Sequence, residues 1–165
     1  MSSGGDERLG AALPAATRWR LGPVVRRAMH TLPEPMLVAL ARGLRKHRDE
    51  LAPGRLFAAP RAGGCAVGIA LRELAPQAFE FRSLPYWLWH RRRRGVERDV
   101  ALRFPELTHL QSCFDDAVAE TLVGTALGRR AAAREVGLWF AGVAEAELSR
   151  RRPRAIVDRE PEVVA

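Results

Sequence analysis

Lysine is almost missing from this chain: of 27 basic residues, only Lys46 is not an arginine. Together with heavy use of Ala, Gly and Pro, that skew is the mark of a GC-rich coding sequence. Arginine number alone therefore carries no functional meaning, and arginine placement has to be read instead. Cysteine is scarce too. Cys65 and Cys113 are the whole supply, too few for a disulfide framework. No apolar run nears the roughly 18 residues that cross a bilayer. The opening M-S-S-G-G-D-E-R holds acids and lacks the apolar stretch of a secretory signal, so a cytoplasmic location is expected. Nucleotide-binding and hydrolase templates are missing as well: no G-x-x-x-x-G-K-[ST], no G-x-G-x-x-G after a strand and no G-x-S-x-G. Neither C-x-x-C nor H-E-x-x-H occurs, and no repeat of about 20–50 residues is visible.

What remains is a chain of 165 residues with a net charge of +8. That length buries enough apolar surface for one domain without metals or disulfides. The charge is unevenly spread. Residues 1–100 hold 18 basic and 9 acidic side chains, while residues 101–165 hold 9 and 10. Such a layout points to an anionic partner: nucleic acid, an acidic protein or, at the periphery, a membrane surface.

Apolar spacing predicts helices. Leu37, Leu40, Leu44, His47 and Leu51 form a stripe that sets a helix over about 35–51, closed by Ala52-Pro53-Gly54. A short helix is expected over 23–30, with Val24, Val25, Ala28 and Met29 on its apolar side. Another over about 64–74 reads as buried. Residues 96–102 read as helical, and Phe104-Pro105 opens a long helix to about 127. The last runs over about 130–149, with Val136, Trp139, Phe140 and Val143 on one face. Weak alternation over 78–84 suggests a short strand. The expected fold is all-α, an irregular bundle of five or six helices spanning 17–149. Residues 1–16 and 150–165 read as disordered ends.

Three places carry chemistry. Arg61-Ala62-Gly63-Gly64-Cys65 sets a thiol at the start of a helix, where free N–H groups favour a thiolate. That placement resembles papain-like cysteine hydrolases, which implies a base histidine brought in on a sheet; His90 and His109 lie in segments with no sheet to hold them. The plainer role for Cys65 is core packing, with Gly64 and Gly68 admitting a second helix. Next, His109, Cys113, Asp116 and Glu120 share one helix stripe, and Glu106 with His109 forms a single E-x-x-H. One helix supplies at most two or three ligands to an ion, so a partner such as Cys65 or His90 would have to supply the rest of a metal site. The third place is Tyr86-Trp87-Leu88-Trp89-His90-Arg91-Arg92-Arg93-Arg94, where indoles beside guanidiniums can stack bases and neutralise phosphates. Arg42, Arg45 and Lys46 are candidates to extend that patch. His47 reads as a hydrogen-bonded core residue.

The leading expectation is thus a non-enzymatic module, with no cofactor, that binds nucleic acid or an acidic protein. Trp87, Trp89 and Arg91, Arg92, Arg93 and Arg94 would lead the contact. The rival is a cysteine- or metal-dependent enzyme using Cys65 with His109, Cys113 and Asp116. A third reading is a structural helical interaction domain.

Overall fold

A computed structural model describes residues 13–54, 56, 63–76 and 84–152. It is all-α. In chain order the helices are α1 (Ala15–Thr31), α2 (Glu34–Lys46), α3 (Ala66–Leu74), α4 (Tyr86–Arg103), α5 (Pro105–Gly124) and α6 (Arg129–Arg151), with a 3-10 turn at Arg48–Glu50. No strand occurs among the described residues. Residues 77–83, which hold nearly all of the expected strand, lie outside them.

Proline punctuates the helix starts. Pro14, Pro33 and Pro85 occupy the N-cap positions of α1, α2 and α4, and Pro35 and Pro105 sit in the first turns of α2 and α5. A fixed φ and a missing N–H cost nothing there. α1 departs from expectation because Pro23 lies inside it rather than at its start. The ring removes one backbone hydrogen bond, to the carbonyl of Trp19. Pro23 and Trp19 both face solvent, where water can serve that carbonyl. The helix therefore begins at Ala15, and Leu13 before it is already buried. Val24 is exposed and does not join Val25, Ala28 and Met29. At the other end α6 extends to Arg151, beyond the expected limit.

α2 and α6 form the centre. α2 buries Met36, Leu37, Leu40 and Leu44 against α6 and α3. α6 offers small residues at the contact, with Ala132, Ala133, Ala141 and Ala144 fully buried. At Gly137 an added Cβ would stand 2.2 Å from Leu51 Cδ1, so Leu51 seats directly on the backbone of α6. α1 and α5 complete the bundle, and Phe114 meets Phe140 edge to face at 5.8 Å. α2 ends at Lys46, earlier than the stripe implies. His47 follows it at the rim of the core, its Nδ1 3.1 Å from Glu50 and its Nε2 3.6 Å from Glu73. It serves an ion cluster rather than the interior.

The glycines around Cys65 also have a different purpose from the expected one. At Gly68 a Cβ would fall 1.7 Å from the carbonyl oxygen of Leu56. What comes close to α3 at this point is the main chain of the preceding segment, not a second helix.

One clamp joins the end of α6 to the end of α1. Glu147 is buried on α6, and its Oε1 accepts from Arg151 Nε at 2.9 Å and lies 3.0 Å from His30 Nδ1. Arg150 Nη2 stands 2.6 Å from Oε2, as an ion pair without hydrogen-bond alignment. Arg151 then donates to three carbonyls at the end of α1: Leu32 at 2.9 Å, Met29 at 3.3 Å and His30 at 2.7 Å. Burial pushes the Glu147 carboxyl up, but its arginine and histidine partners outweigh this and hold it below the ordinary range.

Gly68→Ala will lower stability by about 1–3 kcal/mol through overpacking. Gly95→Ala, where a Cβ meets open space inside α4, will raise it by roughly 0.5–1 kcal/mol. Urea unfolding measures both, and equal effects of the two would contradict the close approach at Gly68. For Glu147, a depressed folded pKa means stability that is present above the ordinary carboxylate range and lost as pH falls through the folded value. Glu147→Gln should therefore cost roughly 2–3 kcal/mol near neutrality. Its penalty should shrink as the pH is lowered into and below the carboxylate range, which denaturant titration across that range will read.

Candidate anion-binding surface

α4 is one unbroken helix from Tyr86, so the arginine run before Gly95 is helical throughout. Arginine is a good helix former, and Gly95 in the interior costs only about 1 kcal/mol. Winding the run at 100° per residue separates its side chains. Trp89, Arg93, Val96 and Val100 turn inward. Trp87, Arg91, Arg94, Arg98 and Leu102 form the opposite stripe.

Burial follows that division. Trp87 is 66% exposed and Leu102 76%, and Arg91, Arg94 and Arg98 between them are all exposed. Trp89, by contrast, is 2% exposed and packs in the core. Arg93 is buried too, its guanidinium carbon 5.4 Å from the centre of the Trp89 ring. Neither Trp89 nor Arg93 can therefore lead a surface contact, as expected of them from the sequence. Arg92 is exposed but lies on another side of the helix, which it shares with Asp99. The outer stripe is free of acids, and the one ion pair on α4 among the described residues is Arg93–Glu97, on the inner face.

The proposed helpers on α2 do not extend this stripe. Arg45 is held by Glu145 through two 2.7 Å hydrogen bonds, which raise its pKa. Lys46 pairs with Glu73 at 3.5 Å. Arg42 is exposed beside Glu34 and Glu73 in a shallow cleft. Their helix packs on α6 and α3, whereas α4 packs on α5. Spacing from Trp87 does reach Arg98 and Leu102, at i+11 and i+15, once the helix is carried through Gly95. A second exposed indole, Trp19, is 84% exposed and lines a shallow depression on α1 with Arg18, Pro23 and Arg26.

The thiols and carboxylates sit elsewhere. Cys65 occupies the N-cap of α3 and is fully buried. Desolvation pushes its thiol up to about 12 against the N–H groups of Gly68 and Val67, the opposite of what a nucleophile needs. His109 lies on the exposed side of α5. Cys113 is buried, and its pKa is raised by burial first and then by Asp116. Asp116 is exposed, and Glu120 is engaged by the Thr17 hydroxyl at 2.6 Å and by Arg20. Glu106, His109, Cys113 and Asp116 thus do not converge. No group of three or more His, Cys, Asp or Glu fit to hold a metal exists among the described residues. Asp115, buried enough to have its carboxyl raised, accepts from the Gly54 N–H at 2.8 Å.

The chain matches no protein-family model, and neither characterised proteins nor solved structures show detectable similarity to it.

Burial predicts the chemistry of Cys65 directly. With a pKa of about 12, only about one thiol in ten thousand is ionised at a pH of about 8. A small disulfide reagent should leave Cys65 unmodified in the folded protein and label it fully after unfolding in guanidinium, as read by mass spectrometry of peptides. Rapid stoichiometric labelling of Cys65 in the native state would contradict the buried placement.

Proposed function

We propose that the protein is a helical binding module that engages nucleic acid through the outer face of α4. The observation that carries this reading is the stripe itself: three exposed arginines, without an ion partner among the described residues, next to an exposed tryptophan. Arg91, Arg94 and Arg98 follow one another at roughly 4.5 and 6 Å along the helix axis. Guanidiniums at that spacing contact successive phosphates, and release of condensed counterions drives the association. Trp87, at the helix start, offers a face on which an unpaired base stacks. Single-stranded nucleic acid is accordingly the favoured form.

A membrane surface fits less well. A helix lying in the interface needs a continuous apolar face, and here Trp87 and Leu102 stand about 22 Å apart with only charge between them. An acidic protein would use the same arginines but leaves the indole without a distinct role.

The test is fluorescence anisotropy with single-stranded oligonucleotides over a salt series. The wild type should bind, and affinity should fall steeply with salt. The triple variant Arg91→Ala/Arg94→Ala/Arg98→Ala should lose about 2 from the log–log salt slope. Trp87→Ala should cost about 1–3 kcal/mol, and Arg42→Ala should change little. Absence of binding at low salt would overturn the nucleic-acid reading. Binding of polyglutamate that the triple variant loses would then move the site to an acidic protein.

A further inference from the structure

The inner face of α4 carries a second feature, independent of the outer stripe. A cleft of about 380 Å³ opens between α4, the first turns of α5, Val67 of α3 and Leu56. Its size lies within the range of small-molecule sites. Arg93 and Glu97 stand on one wall; Leu56, Val67, Val100 and Leu107 supply apolar surface.

Arg93 is the anomaly. Its side chain is only 10% exposed. Nε is buried and has no hydrogen-bond partner. Nη1 is 3.7 Å from Glu97 Oε1, which is an ion pair but too long for a hydrogen bond. The Trp89 ring faces the guanidinium but accepts no N–H in the manner of an oxygen. Of the five donors of Arg93 only the Nε–H is buried and unmet; the terminal nitrogens are not enclosed and are the ones that a molecule in the cleft can reach. A carboxylate pairs best with the two terminal nitrogens, end-on through two parallel N–H···O bonds. A simple anion, however, would arrive beside Glu97 and be repelled by it. Glu97 makes no hydrogen bond with Arg93, so its oxygens remain open to a donor.

The site thus offers a cation and an anion side by side, each with unused hydrogen-bonding capacity, in a cleft whose lining is part polar and part apolar. We propose that this cleft binds a zwitterionic α-amino acid with an apolar side chain. The ligand's carboxylate pairs with Arg93 and its ammonium with Glu97. Its side chain lies against Leu56, Val67, Val100 and Leu107. Arg93 and Glu97 are one helical turn apart, as a head group of that size requires.

Isothermal titration calorimetry on the full chain tests this with L-leucine and L-phenylalanine. The controls are N-acetyl-L-leucine, which lacks the ammonium, and 3-methylbutylamine, which lacks the carboxylate. One or both amino acids should bind saturably, and both controls at least roughly tenfold more weakly. Arg93→Gln and Glu97→Gln should each weaken binding by a similar factor. Because Arg93 is buried, Ala101→Phe serves as a second variant: Ala101 is exposed, lines the cleft and leaves both charges untouched. It should abolish binding with an unchanged melting temperature. No saturable heat with either amino acid at millimolar concentration would overturn the proposal. So would equal binding of the N-acetyl compound together with an unaffected Glu97→Gln variant. The outer-stripe triple variant should keep the amino-acid affinity of the wild type, so failure of one site is distinguishable from failure of the other.

Discussion

The bundle depends on a buried carboxylate. Glu147 is a charge that the interior of α6 accepts only because His30, Arg150 and Arg151 surround it. Its effect reaches beyond the ion pairs. By fixing Arg151, it supplies donors to the last carbonyls of α1, which a helix end otherwise leaves to water. α1 is thereby tied to the end of α6. Two residues, Leu32 and Pro33, then lead into α2, so the angle between α1 and α2 is set within reach of the same clamp. Since α6 is the helix on which α1, α2 and α5 all pack, one side chain coordinates the ends of the elements that form the core.

The uneven charge of the chain has a structural meaning that differs from its simplest reading. Two arginines and a histidine of the first hundred residues are answered by acids from beyond residue 100. Arg20 meets Glu120, Arg45 meets Glu145 and His30 meets Glu147. Folding thus consumes charge across the bundle, about a hundred residues apart in sequence. α4 escapes this because it lies at the edge and packs on α5. Its outer arginines stay unpaired among the described residues, which is why the stripe there is a better indicator of a partner than net charge.

Most of the fold was readable where apolar periodicity was strong. Leu37, Leu40 and Leu44 fixed the buried face of α2, and Leu107, Leu110, Phe114 and Val118 that of α5. Periodicity failed at α1, where Pro23 suggested a start; exposure of its ring and of Trp19 decides otherwise, and exposure is a tertiary fact. It failed again in the first half of α4, where four arginines and a glycine hide the period. The candidate site was correspondingly half legible. Trp87, Arg91 and Arg94 were identifiable by composition, whereas the inward turn of Trp89 and Arg93 required the helix phase set by Val96 and Val100. The thiol of Cys65 was readable as a packing residue, but the reason for its neighbouring glycines was not. Nothing local announces that the carbonyl of Leu56 will rest against Gly68.

The single residue Phe104 separates α4 from α5, with φ −137° and ψ 73°. A helix joined at so sharp a corner, and docked mainly on one neighbour, opens at a smaller free-energy cost than the core. α4 also works against itself. Arg91 and Arg94, and Arg94 and Arg98, stand at i,i+3 and i,i+4, spacings at which like charges destabilise a helix by a few tenths of a kcal/mol each. An anion laid along the stripe would cancel that repulsion. By linkage, whatever part of the affinity comes from this relief returns as added persistence of α4 itself. With such a ligand bound, the order of the edge helix would become a function of occupancy, while the clamp at Glu147 lies on α1 and α6, away from α4.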